Sequence, residues 1–225
     1  MRLLSFFNLL YVSTALNYTI NDTITLNLIN HVSITGEINK DAMVNFISDI
    51  EKIKSNSVYI YINSNGGYVD YGEDIIQYMN YKKLQKLKLI CIAHVAYSMA
   101  FHIYQHCDIR LILPTSKVMQ HQMSLGVNGN LENIKNFLKM IDSVNNRLAE
   151  IESSRLNISK YEYLNRINSD WWLYGTEILD NNIADYMIGG IGCDSFLLKK
   201  KTTNIDHTID RILTTKTVPG CPLVV

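Results

Sequence analysis

The chain has 225 residues, 47% of them hydrophobic and 19% charged, with 21 Lys plus Arg against 21 Asp plus Glu. That length suits one domain with a substantial core. The charge balance excludes both a basic field for nucleic acid and an acidic, disordered tail.

Residues 1–15 carry one basic residue, Arg2, then a short apolar stretch interrupted by Asn8 and small residues ending at Ala15. The layout fits a secretory or targeting signal and equally an ordinary N-terminal helix, and it is too short to span a bilayer. Residues 23–35 alternate loosely through Ile24, Leu26, Leu28, Val32 and Ile34, predicting one strand that turns at Gly36. Asp41 is placed to cap a helix running to about Lys54, with Met43, Phe46, Ile47 and Ile50 on one side. A second strand is expected over 58–63, followed by Ser64-Asn65-Gly66-Gly67, and a helix over 69–81.

The apolar run 89–97 predicts a buried strand that breaks at Ser98 into a helix reaching about His106. Residues 111–114 and 117–120 are strand-like. The longest amphipathic stretch is 131–153, where Leu131, Ile134, Leu138, Ile141, Leu148 and Ile151 recur at helical spacings. Shorter helices are expected over 158–167 and 171–182. Residues 16–199 then form the domain, and beyond Lys199 periodicity fades, so 200–225 is expected to be a loose tail.

Of the four cysteines, Cys91 falls in an apolar strand and reads as a small core residue. Cys193 and Cys221 could pair in an oxidising compartment. No CxxC or zinc-ligand spacing is present. His102 and His106 stand at i and i+4 on one helix face, but no third ligand accompanies them, and no metal site is expected.

Alternating strands and helices predict an α/β fold with largely parallel pairing, whose sites gather at the C-terminal ends of strands. Gly66-Gly67 and Ser98 fall at such ends. A serine on a strand-to-helix turn lies beside free backbone N–H groups, where a developing oxyanion is stabilised. Downstream stand His121, at a strand end, and Asp170, before an aromatic pair. The chain order Ser, His, Asp points to a serine hydrolase; Asp170 could also be the N-cap of the following helix, alone or together with that role.

These residues carry a resemblance. Tyr61-Ile62-Asn63-Ser64-Asn65-Gly66-Gly67, Ala96-Tyr97-Ser98-Met99-Ala100, the segment Leu113-Pro114-Thr115-Ser116-Lys117-Val118-Met119-Gln120-His121-Gln122 and Asp170-Trp171-Trp172-Leu173 with Glu177, Leu179 and Asp185 occur in order. Together they resemble the proteolytic subunit of the ATP-dependent Clp protease, within the crotonase-like superfamily. The resemblance implies repeated ββα units with a protruding handle helix, and a serine endopeptidase that cuts unfolded polypeptides. It implies Ser98 as nucleophile, His121 as base and Asp170 as its orienting carboxylate, with the backbone N–H groups of Gly67 and Met99 as oxyanion hole.

It also implies stacked heptameric rings joined through 131–153, fed by a separate AAA+ unfoldase. The chain has no P-loop, so ATP would act only through that partner and no cofactor is expected on this chain. Asn65 and Met123 replace family prolines, and His94 and Tyr97 are larger or more polar than usual there. The alternative readings are a catalytically silent ring subunit or a crotonase-type acyl-CoA enzyme. Apart from residues 1–15, the chain reads as a soluble intracellular or organellar protein.

Overall fold

The computed structural model describes residue 19 and residues 21–199, 201–207 and 213–223. The stretch 1–15, with its signal or helix reading, lies outside the described residues. Two short strands lead: β1 (Thr23–Leu26) and β2 (His31–Ile38). Then α1 (Lys40–Ile50), β3 (Ser57–Gly67), α2 (Val69–Leu84), β4 (Lys88–Tyr97), α3 (Met99–Gln105) and β5 (Ile109–Gln120) alternate as the apolar pattern predicts. After them come α4 (Leu131–Leu156), α5 (Lys160–Arg166), β6 (Trp171–Tyr174), α6 (Glu177–Asp180), β7 (Tyr186–Met187), β8 (Gly190–Cys193) and α7 (Ser195–Lys199). The hairpin β9 (Lys201–His207) and β10 (Leu213–Pro219) follows.

Strands β2, β3, β4 and β5 run parallel in that order. At one end of β5 the sheet is extended by antiparallel β6, at the other by parallel β7. Strand period two divides the core between the sheet's faces. On one, Ile60, Ile62, Leu89 and Cys91 pack with Phe46, Met79 and Phe101 from the helices. On the other, Tyr61, Ile90, Ile92 and Leu111 meet Ile24 and Leu26 of β1, which pairs with β8.

Several local expectations are corrected. The stretch 23–35 is two strands in two sheets, because asparagine turn chemistry breaks it. Asn30 Oδ1 accepts from Asn27 N–H at 2.8 Å, and Asn27 Oδ1 from Ile29 N–H at 3.0 Å. Gly36 (φ +74°) forms a bulge within β2 instead of ending it. Helix α1 is capped by Asn39, whose side chain accepts from Ala42 N–H at 3.0 Å, while Asp41 sits in the first turn. The pieces 111–114 and 117–120 belong to one strand, since Ser116 Oγ bridges the Pro114 excursion by bonding Leu113 N–H and Ala93 O. Residues 171–174 are a strand, not a helix. Trp171, Trp172 and Tyr174 suit a pleated edge, and β5 offers them the ladder Lys117–Gln120.

The segment 200–225, expected as a loose tail, holds the antiparallel β9–β10 pair, and Cys221 beyond it is disulfide-bonded to Cys193. Cys91 is fully buried, as a core residue should be, but it is also bonded to Cys107. Among the described residues no helix is long and apolar enough to cross a membrane.

Candidate active site

Strand β4 ends at Tyr97 and α3 begins at Met99, so Ser98 alone makes the corner. Its backbone has φ +54° and ψ −122°, a region L-residues adopt only under strain. The corner is held by Ser98 N–H bonding Met119 O at 2.9 Å and by His102 N–H bonding Ser98 O at 3.2 Å. Gly66 supports it from β3. A Cβ there would lie 2.6 Å from Tyr97 O, 2.8 Å from Ser98 Cβ and 3.0 Å from Met99 N. Only a residue without a side chain fits between β3 and the corner.

His121 follows β5 directly, and its Nε2 lies 2.9 Å from Ser98 Oγ. An imidazole at that distance can take the hydroxyl proton as the oxygen attacks. Ser98 and His121 are thus brought together. Asp170 precedes β6, one residue beyond the Gln120↔Trp171 pair, which sets it level with His121 across the antiparallel edge. Its side chain is exposed, and among the described residues no hydrogen bond joins it to His121. The helix-cap alternative for Asp170 fails, since a strand follows it.

Gly67 pairs with Ile38 at the end of β3, and Met99 opens α3 next to Ser98. Two of the substituted positions find partners: His94 Nδ1 lies 3.1 Å from Tyr61 OH, and Tyr97 packs edge-on against Trp172 with centroids 4.9 Å apart.

A cleft opens beside Ser98, with Val69, Met99, Met123 and Leu148 in its walls. At its base lies a group the sequence pattern did not single out. The Glu152 carboxylate is buried in α4 and bonded by His102 Nδ1 at 3.0 Å, Gln120 Nε2 at 2.9 Å and the Tyr163 hydroxyl. His102 is therefore a carboxylate partner, not one of a metal pair with His106. Burial and the neighbouring His102 push the His106 imidazole down to about 4. Burial, reinforced by Glu152, pushes the Tyr163 phenol well up, so it stays a donor. A partial signal for this group was present: Gln120 and His102 are polar residues beside apolar neighbours, whereas nothing in the sequence of α4 marked Glu152 as buried.

A strained serine at a strand-to-helix corner, with an imidazole nitrogen in reach, is the chemistry of a serine hydrolase on an α/β sheet. The Clp protease family profile matches residues 17–190, and the chain belongs to that family, whose members are serine peptidases of crotonase-like fold. Subunit 3 of the ATP-dependent Clp protease proteolytic component from Rhizobium etli is 26% identical over 161 residues, covering 70% of this chain and 82% of its own. Subunit 2 from Treponema pallidum is 24% identical over 165 residues (70% and 81%). The proteolytic subunit from Oltmannsiellopsis viridis is 28% identical over 133 residues (59% and 68%).

Proposed function

We propose that this protein is an endopeptidase of unfolded polypeptides that works through Ser98, His121 and Asp170 inside an oligomeric ring. The observation that carries the reading is the 2.9 Å approach of His121 Nε2 to Ser98 Oγ at a strained corner. His121 takes the serine proton as Oγ attacks the scissile carbonyl, then returns it to the leaving amine, and water releases the acyl group by the reverse path. The N–H groups of Gly67 and Met99 receive the oxyanion. Asp170 orients the imidazole once substrate orders the cleft, since catalytic hydrogen bonds often tighten only in the substrate complex.

The N-terminal half of α4 supports self-assembly, because Leu131, Phe137, Leu138 and Met140 are exposed. Heptameric rings stacked through this helix would enclose the serines and admit only unfolded chains. Any coupling to ATP would run through a separate AAA+ unfoldase.

The test is cleavage of an unfolded protein and of fluorogenic peptides by wild type and Ser98→Ala, with the site of fluorophosphonate labelling mapped. The variant should lose on the order of 10⁶-fold in kcat with its fold intact. Equal cleavage by wild type and Ser98→Ala would overturn the assignment.

A further inference from the structure

The cleft beside Ser98 has a cavity volume of about 50 Å³ and opens to solvent, and its walls and base differ in chemistry. Val69, Met99 and Leu148 are apolar, whereas the base presents Glu152 with His102, Gln120 and Tyr163 around it. A carboxylate taken out of water costs free energy unless it is hydrogen-bonded and its charge is matched. Hydrogen bonding is well supplied: Oε1 accepts from two donors and Oε2 from one. Charge is met there only by His102, whose Nδ1 makes an ion pair with Oε1 when the imidazole is protonated; among the described residues no Lys or Arg lines the cleft, and His106, packed edge-on against His102, is held neutral. One lone-pair position on Oε2 also remains.

His102 lies one helical turn beyond Ser98, so the base is set on the order of 6 Å along α3 from the corner. A long side chain could lay its methylenes along the apolar walls and carry a cationic head to the carboxylate.

We propose that this cleft receives the side chain of the residue donating the acyl group, and that Glu152 makes it select lysine or arginine. The inference rests on the peptidase reading of Ser98. Glu152 recognises the substrate directly; His102, Gln120 and Tyr163 are positioning residues that hold the carboxylate toward the cleft. A neutral apolar side chain fills the same walls but leaves the open position on Glu152 Oε2 unused. A site built for a polar partner rejects an analogue lacking it more strongly than an apolar pocket rejects a missing methylene.

The experiment uses fluorogenic peptides identical except for Lys, Arg, Gln, Met or norleucine before the scissile bond, with fluorophosphonate labelling of Ser98 as a separate readout. Wild type should favour Lys and Arg over Met by at least about tenfold in kcat/KM, and Glu152→Gln should cut that ratio by about the same factor. On wild type alone, butylguanidine should inhibit competitively at concentrations where pentanol does not, which serves if the variant fails to fold. Preference for Met or norleucine by an enzyme that labels at Ser98 would overturn the specificity and leave the peptidase standing. A wild type that neither labels nor cleaves any peptide would overturn both.

Discussion

Asp170 shows how far a single residue can be argued from its neighbours. The antiparallel edge sets it level with His121, yet its carboxylate is exposed and bonds no imidazole among the described residues. If it orients His121 during turnover, Asp170→Asn should lower kcat by about 10²- to 10⁴-fold through the wrong tautomer. Stability should change by no more than about 0.5 kcal/mol, as for other exposed positions without partners. Steady-state kinetics and a thermal melt read the two effects, and a near-normal kcat would remove Asp170 from the mechanism. Ser98 and His121 were legible because each marks a break, the end of an apolar run or of a strand. Glu152 was not, since an acidic residue in an amphipathic helix ordinarily faces water, and only the packing of α4 over α3 turns it inward.

At the scale of elements, local pattern served wherever one strand or helix decided its own fate, as in β4 and α2. It failed where a partner decided. Residues 171–182 satisfy helical spacing, but β5 recruits 171–174 as its edge strand, and Gly175 (φ +56°) turns the chain into the short α6. The extent of β3 was missed similarly, because Gly66 and Gly67 continue the ladder with Glu37 and Ile38. That continuation presses the glycines against the Ser98 corner, which makes a firm expectation. Gly66→Ala must force its Cβ against the backbone of Tyr97 and Met99 at a positive φ of +90°. It should cost about 1–3 kcal/mol in stability and displace the corner. Chemical denaturation together with fluorophosphonate labelling rates would show both, and a variant labelled at the wild-type rate would contradict the packing argument.

For the whole molecule, the strand–helix alternation was enough to predict the α/β class. The edge strands were not predictable, because β6 and β7 reach β5 from more than 50 positions along the chain. Helix α4 unites the two halves of the functional argument. Its C-terminal part buries Ala149, Glu152, Ser153 and Leu156 against the domain, while Leu131, at the other end, is 65% exposed. An apolar stripe left in water is a liability unless another copy covers it. Wild type should therefore sediment well above the 25.8 kDa of one chain, and Leu138→Glu combined with Ile141→Glu should shift it to smaller species with reduced activity. Sedimentation velocity decides this, and a fully active wild-type monomer would refute the ring.

The backbone of Ser98 carries a consequence about history. At φ +54° and ψ −122° a side chain costs about 1–3 kcal/mol that glycine would not. Drift under selection for stability alone would thus discard the hydroxyl early, since one substitution relieves the corner and disturbs nothing that holds the sheet. A lineage that had become a silent subunit would have every reason to make that exchange. Serine at so strained a bend is what continued use would leave behind.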